Sequence, residues 1–75
     1  MSVRYSVIAW FDGGWRVFRR GANRATSAHR TQSEAVEKAR KLAKKDLTGG
    51  TVVIHRADGS VRRWIDYRKK SLPST

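Results

Sequence analysis

Thr31-Gln32-Ser33-Glu34-Ala35-Val36-Glu37-Lys38-Ala39-Arg40-Lys41-Leu42-Ala43-Lys44-Lys45-Asp46-Leu47-Thr48-Gly49-Gly50 carries helical periodicity, and its place between two alternating segments decides the fold. Thr31 to Glu34 is a capping box: the Thr31 hydroxyl is expected to accept from the amide three residues on, while Glu34 reaches back to the Thr31 amide. Ala35, Val36, Ala39, Leu42, Ala43 and Leu47 recur at intervals of one, three and four, the spacing of a helix face packed on a sheet. Glu37, Lys38, Arg40, Lys41, Lys44 and Lys45 form the opposite face, acidic near the start and basic near the end, as the helix dipole favours. Thr48-Gly49-Gly50 is expected to end the helix in a left-handed glycine cap.

Upstream, Val3 to Phe11 alternates. Val3, Tyr5, Val7, Ala9 and Phe11 fall on one face, and Arg4, Ser6, Ile8 and Trp10 on the other, as in a strand. Asp12-Gly13-Gly14 supplies the positive φ that a hairpin turn requires. Trp15 to Arg20 is then the returning strand, with Trp15 and Val17 facing one way and Arg16, Phe18 and Arg20 the other. Gly21-Ala22-Asn23 makes a second turn, and Arg24 to Arg30, rich in small residues, is read as a weaker third strand. Downstream, Thr51 to Arg56 is β-branched, Asp58-Gly59 reads as a two-residue hairpin turn, and Ser60 to Tyr67 returns. Counting outward from that turn pairs Arg56 with Val61, His55 with Arg62, Ile54 with Arg63, Val53 with Trp64 and Val52 with Ile65. Trp64, Val53, His55 and Arg62 would then share a face. The expected fold is α+β, β-β-β-α-β-β, an antiparallel sheet of hairpins packed on one amphipathic helix. Residues 1–67 form a single small domain and residues 68–75 a basic tail.

The chain has 75 residues and no cysteine, so its small core must hold by packing, without disulfides or thiolate metal sites. Three Trp, two Tyr and two Phe are aromatic residues that a disordered chain would lack, so a folded mini-domain is expected. The longest apolar run, Val7 to Phe11, is too short for a membrane span or a signal-peptide core, and a cytoplasmic location, nucleoid-associated if the partner is DNA, is the expectation.

Charge points to the partner. Seventeen Lys and Arg against six Asp and Glu leave a net charge of +11, and Arg, whose planar fork grips phosphate at two points, outnumbers Lys. A surface of this kind attracts polyanions. On the sheet face turned from the helix, Arg4, Ile8, Trp10, Arg16, Phe18 and Arg20 would lie together, and aromatic rings interleaved with guanidiniums stack bases and hold phosphates. A second basic set, Arg62, Arg63, Arg68, Lys69 and Lys70, is contiguous in sequence with Trp64. The expected function is nucleic-acid binding, DNA favoured over RNA, chiefly through phosphate contacts with low sequence specificity. The competing reading is a homodimer or protein-interaction module that covers the aromatic face with a partner. The helix lysines Lys38, Lys41, Lys44 and Lys45 are accounted for by solubility and the dipole. The helix also lacks the large aromatic residues that would seat it on a membrane.

Catalysis lacks its parts. His29 and His55 are too few and too separated for a metal triad, and each is expected to be a hydrogen-bonded sheet residue. Asp12, Asp58 and Glu34 are taken up by turns and a cap, and no phosphate loop is present. No catalytic residue, metal, cofactor or small-molecule substrate is therefore expected.

The stretches Gly13-Gly14-Trp15-Arg16-Val17, Arg24-Ala25-Thr26-Ser27-Ala28-His29-Arg30-Thr31-Gln32-Ser33-Glu34-Ala35 and His55-Arg56-Ala57-Asp58-Gly59 resemble a compact prokaryotic family. This is domain of unknown function 2188, with its Gly-Trp-x-Val strand, Ala-Thr-Ser-x-His-x-Thr segment, Glu-Ala helix and Asp-Gly hairpin. The resemblance covers roughly residues 5 to 66. It implies a fold and a cytosolic bacterial setting, and no catalytic residues. A looser likeness, resting on the capping box after three strands, is to the three-strand-plus-helix unit at the front of phage integrases, where a sheet face reads duplex DNA.

Overall fold

The computed structural model describes residues 3–46 and 49–67. Its elements are β1 (Val3–Ala9), β2 (Trp15–Arg19), β3 (Ser27–His29), α1 (Gln32–Lys45), β4 (Gly50–His55) and β5 (Val61–Asp66). The α+β class and the element order agree with the sequence reading. The sheet is mixed, however, not antiparallel: its order is β3-β2-β1-β4-β5, and β4 lies parallel to β1. Hairpin signals report only neighbours in sequence, so they are silent on where the chain inserts β4 after crossing over the sheet as α1. Burial supplies the reason. Strands β1 and β4 hold Tyr5, Val7, Val52 and Ile54, all buried, and take central positions, while Ser27-Ala28-His29 and arginine-bearing β5 take the edges.

Both hairpins close with three-residue loops. Trp10 and Gly14 bracket Phe11-Asp12-Gly13, with Trp10 N–H donating to Gly14 O at 2.9 Å. Arg56 and Ser60 bracket Ala57-Asp58-Gly59, with Arg56 N–H donating to Ser60 O at 2.7 Å. In each loop the central Asp accepts from the amide two residues on (Gly14 and Ser60, both 2.9 Å), and the third residue is a glycine at positive φ. The second loop is thus one residue longer than the two-residue turn expected. Its effect is cancelled by a bulge: His55 pairs with Val61 and Ile54 with Arg63, leaving Arg62 as the extra residue. Ile54 with Arg63, Val53 with Trp64 and Val52 with Ile65 therefore pair as expected, whereas Arg56 with Val61 and His55 with Arg62 do not: Arg56 faces Ser60 and His55 faces Val61.

The helix begins as the capping box dictates, with Glu34 N–H donating to Thr31 Oγ1 at 3.2 Å. The reciprocal bond goes one residue further back than expected, from Arg30 N–H to Glu34 Oε1 at 3.4 Å. The helix ends at Lys45 with Asp46 extended as its C-cap, so left-handed Gly49 (φ +74°) lies beyond the cap rather than forming it. Leu47 and Thr48 lie outside the described residues. Residues fully buried on α1 are all alanine, Ala35, Ala39 and Ala43, which lets the helix backbone approach the sheet closely. They pack on Tyr5, Val7, Val17, Val52 and Ile54, flanked by Val3, Trp15, Val36, Leu42, Ile65 and Tyr67. Gln32 anchors one end of the helix by donating to His55 O at 2.9 Å. Arg40, about two turns further along, ties the helix to the end of the sheet by donating from Nε to the Tyr67 hydroxyl at 2.6 Å.

Two strand ends are shorter than read. β1 stops at Ala9, so Phe11 occupies the loop tip, 93% exposed, instead of joining the core. β3 keeps only three residues, because Arg24 to Thr26 belong to the loop that precedes it.

Candidate functional site

α1 covers one face of the sheet, and alternation along the strands decides which side chains are left on the other. Opposite the core residues lie Arg4, Ser6 and Ile8 of β1, Arg16 and Phe18 of β2, Ala28 of β3, Thr51 and Val53 of β4, and Trp64 of β5. Among the described residues no helix covers this face, and its side chains cover one another. Arg4 and Trp64 stand on strands separated by β4, and the Arg4 guanidinium carbon lies 4.8 Å from the Trp64 ring centroid. The pair thus passes over β4 and roofs Val53, which is 4% exposed although it is outside the core cluster. Trp10, just beyond β1, folds beside Phe18, with ring centroids 5.6 Å apart and planes tilted by 34°. Arg16 lies over the Trp10 ring at 4.3 Å. Contacts of this kind hold a guanidinium in one orientation with its charge unneutralised.

Arg16 is unusual in another respect: its Nε–H is buried without a hydrogen-bond acceptor. An unmet buried donor costs about 1–3 kcal/mol, more when charged. Arg16 also lines a depression of about 470 Å³ together with Trp10, Phe18, Asn23, Arg24 and Ala28. Asn23 and Arg24 come from the β2–β3 loop. The sequence reading missed both, because Arg24 was assigned to a strand and Asn23 was given only a turn role. The signal available was the polar, cationic character of a loop that must return over the sheet edge. Asp66, opposite Thr51 and two residues from Trp64, brings the one carboxylate of the described strands to the far edge of this face.

The basic residues singled out in the sequence do not all converge. Arg4, Trp10, Arg16, Phe18 and Trp64 share the uncovered face. Arg20 is exposed just past the end of β2, where its N–H donates to Arg4 O at 2.8 Å. Arg62 and Arg63, by contrast, line a separate groove of about 260 Å³ between α1 and β5. The bulge is the cause: it turns Arg62 to the helix side, where it donates to Gln32 Oε1 at 2.6 Å instead of joining Trp64 and Val53. That groove also contains Glu37, 3.9 Å from Arg40, so its positive charge is partly offset. Arg68, Lys69 and Lys70 lie outside the described residues. His29 and His55 take structural bonds, Nε2 of His29 to Ser27 Oγ at 2.8 Å and Nδ1 of His55 to Gly59 O at 3.1 Å.

The chain is 42% identical over 52 residues to the uncharacterized protein YdaT of Bacillus subtilis (strain 168), an alignment covering 69% of this chain and 33% of the relative. It therefore spans about a third of the length of that relative. No solved structure matches it. The family model of uncharacterized proteins conserved in bacteria, DUF2188, matches residues 5–67, a span that includes every described strand after the start of β1, the helix and both glycine loops, and the chain belongs to that family.

Proposed function

We propose that the protein is a nucleic-acid-binding module that uses the uncovered sheet face, holding phosphates with Arg4, Arg16 and Arg24 and setting Trp10, Phe18 and Trp64 among them. The observation that carries this reading is Arg16. Its guanidinium is pinned on Trp10, one of its donors is buried and unmet, and no carboxylate among the described residues pairs with it. A phosphate oxygen on the part of Arg16 that lines the depression would supply the counter-charge. The contacts are to the backbone of the polymer, so sequence specificity is low. DNA is the favoured polymer, which suits a cytoplasmic, nucleoid-associated protein. The module binds and does not catalyse.

Fluorescence anisotropy with labelled DNA at several salt concentrations tests this. Three guanidiniums on the face give a slope of log affinity against log salt of about −2.7 on duplex and about −2.1 on single strands from this face alone. Arg16→Gln should weaken binding to every sequence and flatten the slope by about one. Replacing Lys38 and Lys41 by Gln should change neither. Binding to heparin as tight as to any nucleic acid, or a slope unchanged in Arg16→Gln, refutes the reading.

A second reading, a homodimer or protein interface, is favoured by the exposed apolar groups bordering the same face, Phe11 and half-exposed Trp64 (53%). Sedimentation equilibrium separates the two, since a strict monomer removes the dimer.

A further inference from the structure

We infer that the depression beside Arg16 seats one unpaired nucleotide, so that the polymer this face accommodates best is single-stranded. The inference rests on the nucleic-acid reading above and specifies its ligand. The depression, about 470 Å³, falls within the range of small-molecule sites and is larger than a phosphate alone needs. Its lining matches the parts of a nucleotide. Trp10 and Arg16 already form a stack at 4.3 Å, and a base lying against the guanidinium extends that stack by one layer. Asn23 offers both a donor and an acceptor to a base edge, and Arg24 offers its fork to the phosphate.

A base within a duplex has its faces covered by its neighbours and its pairing edge occupied, so only an unpaired base can enter. The floor is made by Ala28, which lies directly opposite Arg16 in the β2–β3 pairing, and its small side chain leaves the space open. The α1–β5 groove has no comparable lining, as it lacks aromatic residues and includes Glu37.

The test compares a labelled oligothymidylate with a duplex of the same length, using the full chain at fixed salt. Stacking one base predicts that the single strand binds about tenfold tighter, within a range of about five- to 150-fold. Ala28→Leu fills the floor without altering charge. It should reduce the single-strand affinity to the duplex value and leave the duplex affinity unchanged. Ala28 is exposed on an edge strand, and a circular dichroism melt confirms that the variant folds; Ala28→Gln serves as a second filler. Equal wild-type affinity for the two polymers, or a single-strand preference that survives both fillers, overturns the inference and leaves the charged face standing. Absence of binding to either polymer overturns the nucleic-acid reading itself, and the inference with it.

Discussion

Replacing Gly50 by Ala should destabilise the protein, even though an alanine is ordinarily an improvement on glycine within a strand. Gly50 opens β4, opposite Val3 of β1 in the parallel pairing. A Cβ built there would meet Ala43 Cβ at 3.0 Å, Ala43 Cα at 3.1 Å and Val3 Cγ1 at 3.1 Å. Carbon atoms in good contact sit about 3.5–4.0 Å apart, so all three distances are repulsive. The valine methyl can rotate away, but the Ala43 contacts belong to the helix and recede only if α1 lifts off the sheet. Lifting it loosens Ala39 and Ala35 as well, because all three are fully buried along one stripe. Overpacking of this kind costs about 1–3 kcal/mol. Reduced freedom of the unfolded chain returns about 0.4–1 kcal/mol, leaving a net loss of about 1–2 kcal/mol, large for a domain whose total stability is a few kcal/mol. Urea unfolding followed by far-ultraviolet circular dichroism measures it. The thermal midpoint should drop by about 4–8 °C per kcal/mol. The decisive control is a double-mutant cycle with Ala43→Gly. Alone, that change costs about 1 kcal/mol of helix propensity. In the double variant it removes the Cβ that clashes, so the combined loss should fall short of the sum by about 1 kcal/mol. A Gly50→Ala protein as stable as wild type, or strict additivity, would refute the close approach of helix and strand described here.

Two further perturbations probe the uncovered face and the second hairpin. Trp64→Ala removes the lid over Val53 together with its stack on Arg4, and should cost about 1–2 kcal/mol by urea unfolding despite the half-exposure of the ring; an unaltered midpoint would mean that Val53 is covered by something else. Asp58 accepts from the Ser60 hydroxyl and, second, from the Ser60 amide, and these bonds hold its carboxyl below the ordinary aspartate value. A folded-state value that is depressed contributes stability above the unfolded-state pKa, and that contribution is lost as pH falls through the folded value. Acidification below the ordinary carboxylate range should therefore weaken the β4–β5 hairpin in wild type, while Asp58→Asn should flatten that part of the pH profile. Amide exchange at Ser60 and Arg56 would report it, and identical acid profiles for the two proteins would sink the assignment.

Much of this architecture is written in local signals. The capping box at Thr31 to Glu34, the Asp-Gly loops and the strand alternation each depend on interactions spanning a few residues, so the helix start, the hairpins and the helix-facing set Tyr5, Val7 and Val17 were legible without coordinates. The same alternation separated Arg4, Trp10, Arg16 and Phe18 from the core side. Family membership was legible too, since those local motifs are what its members share.

Everything that depended on distant segments meeting was settled by the tertiary structure. Whether β4 would join the sheet at an edge or beside β1 depends on which strands most need burial on α1, a comparison across the whole chain. The β5 bulge is a second case. A loop one residue longer than the hairpin signal implied was offset by one extra residue in the strand, so the pairing of Val53 with Trp64 survived while Arg62 turned from the aromatic face to the helix. Arg24 and Asn23 joined the depression only because the loop bearing them folds back over the sheet edge. Periodicity specifies which way a side chain points within its own element. Which side chains then stand together depends on chain crossings and register, and those answer to packing rather than to sequence spacing.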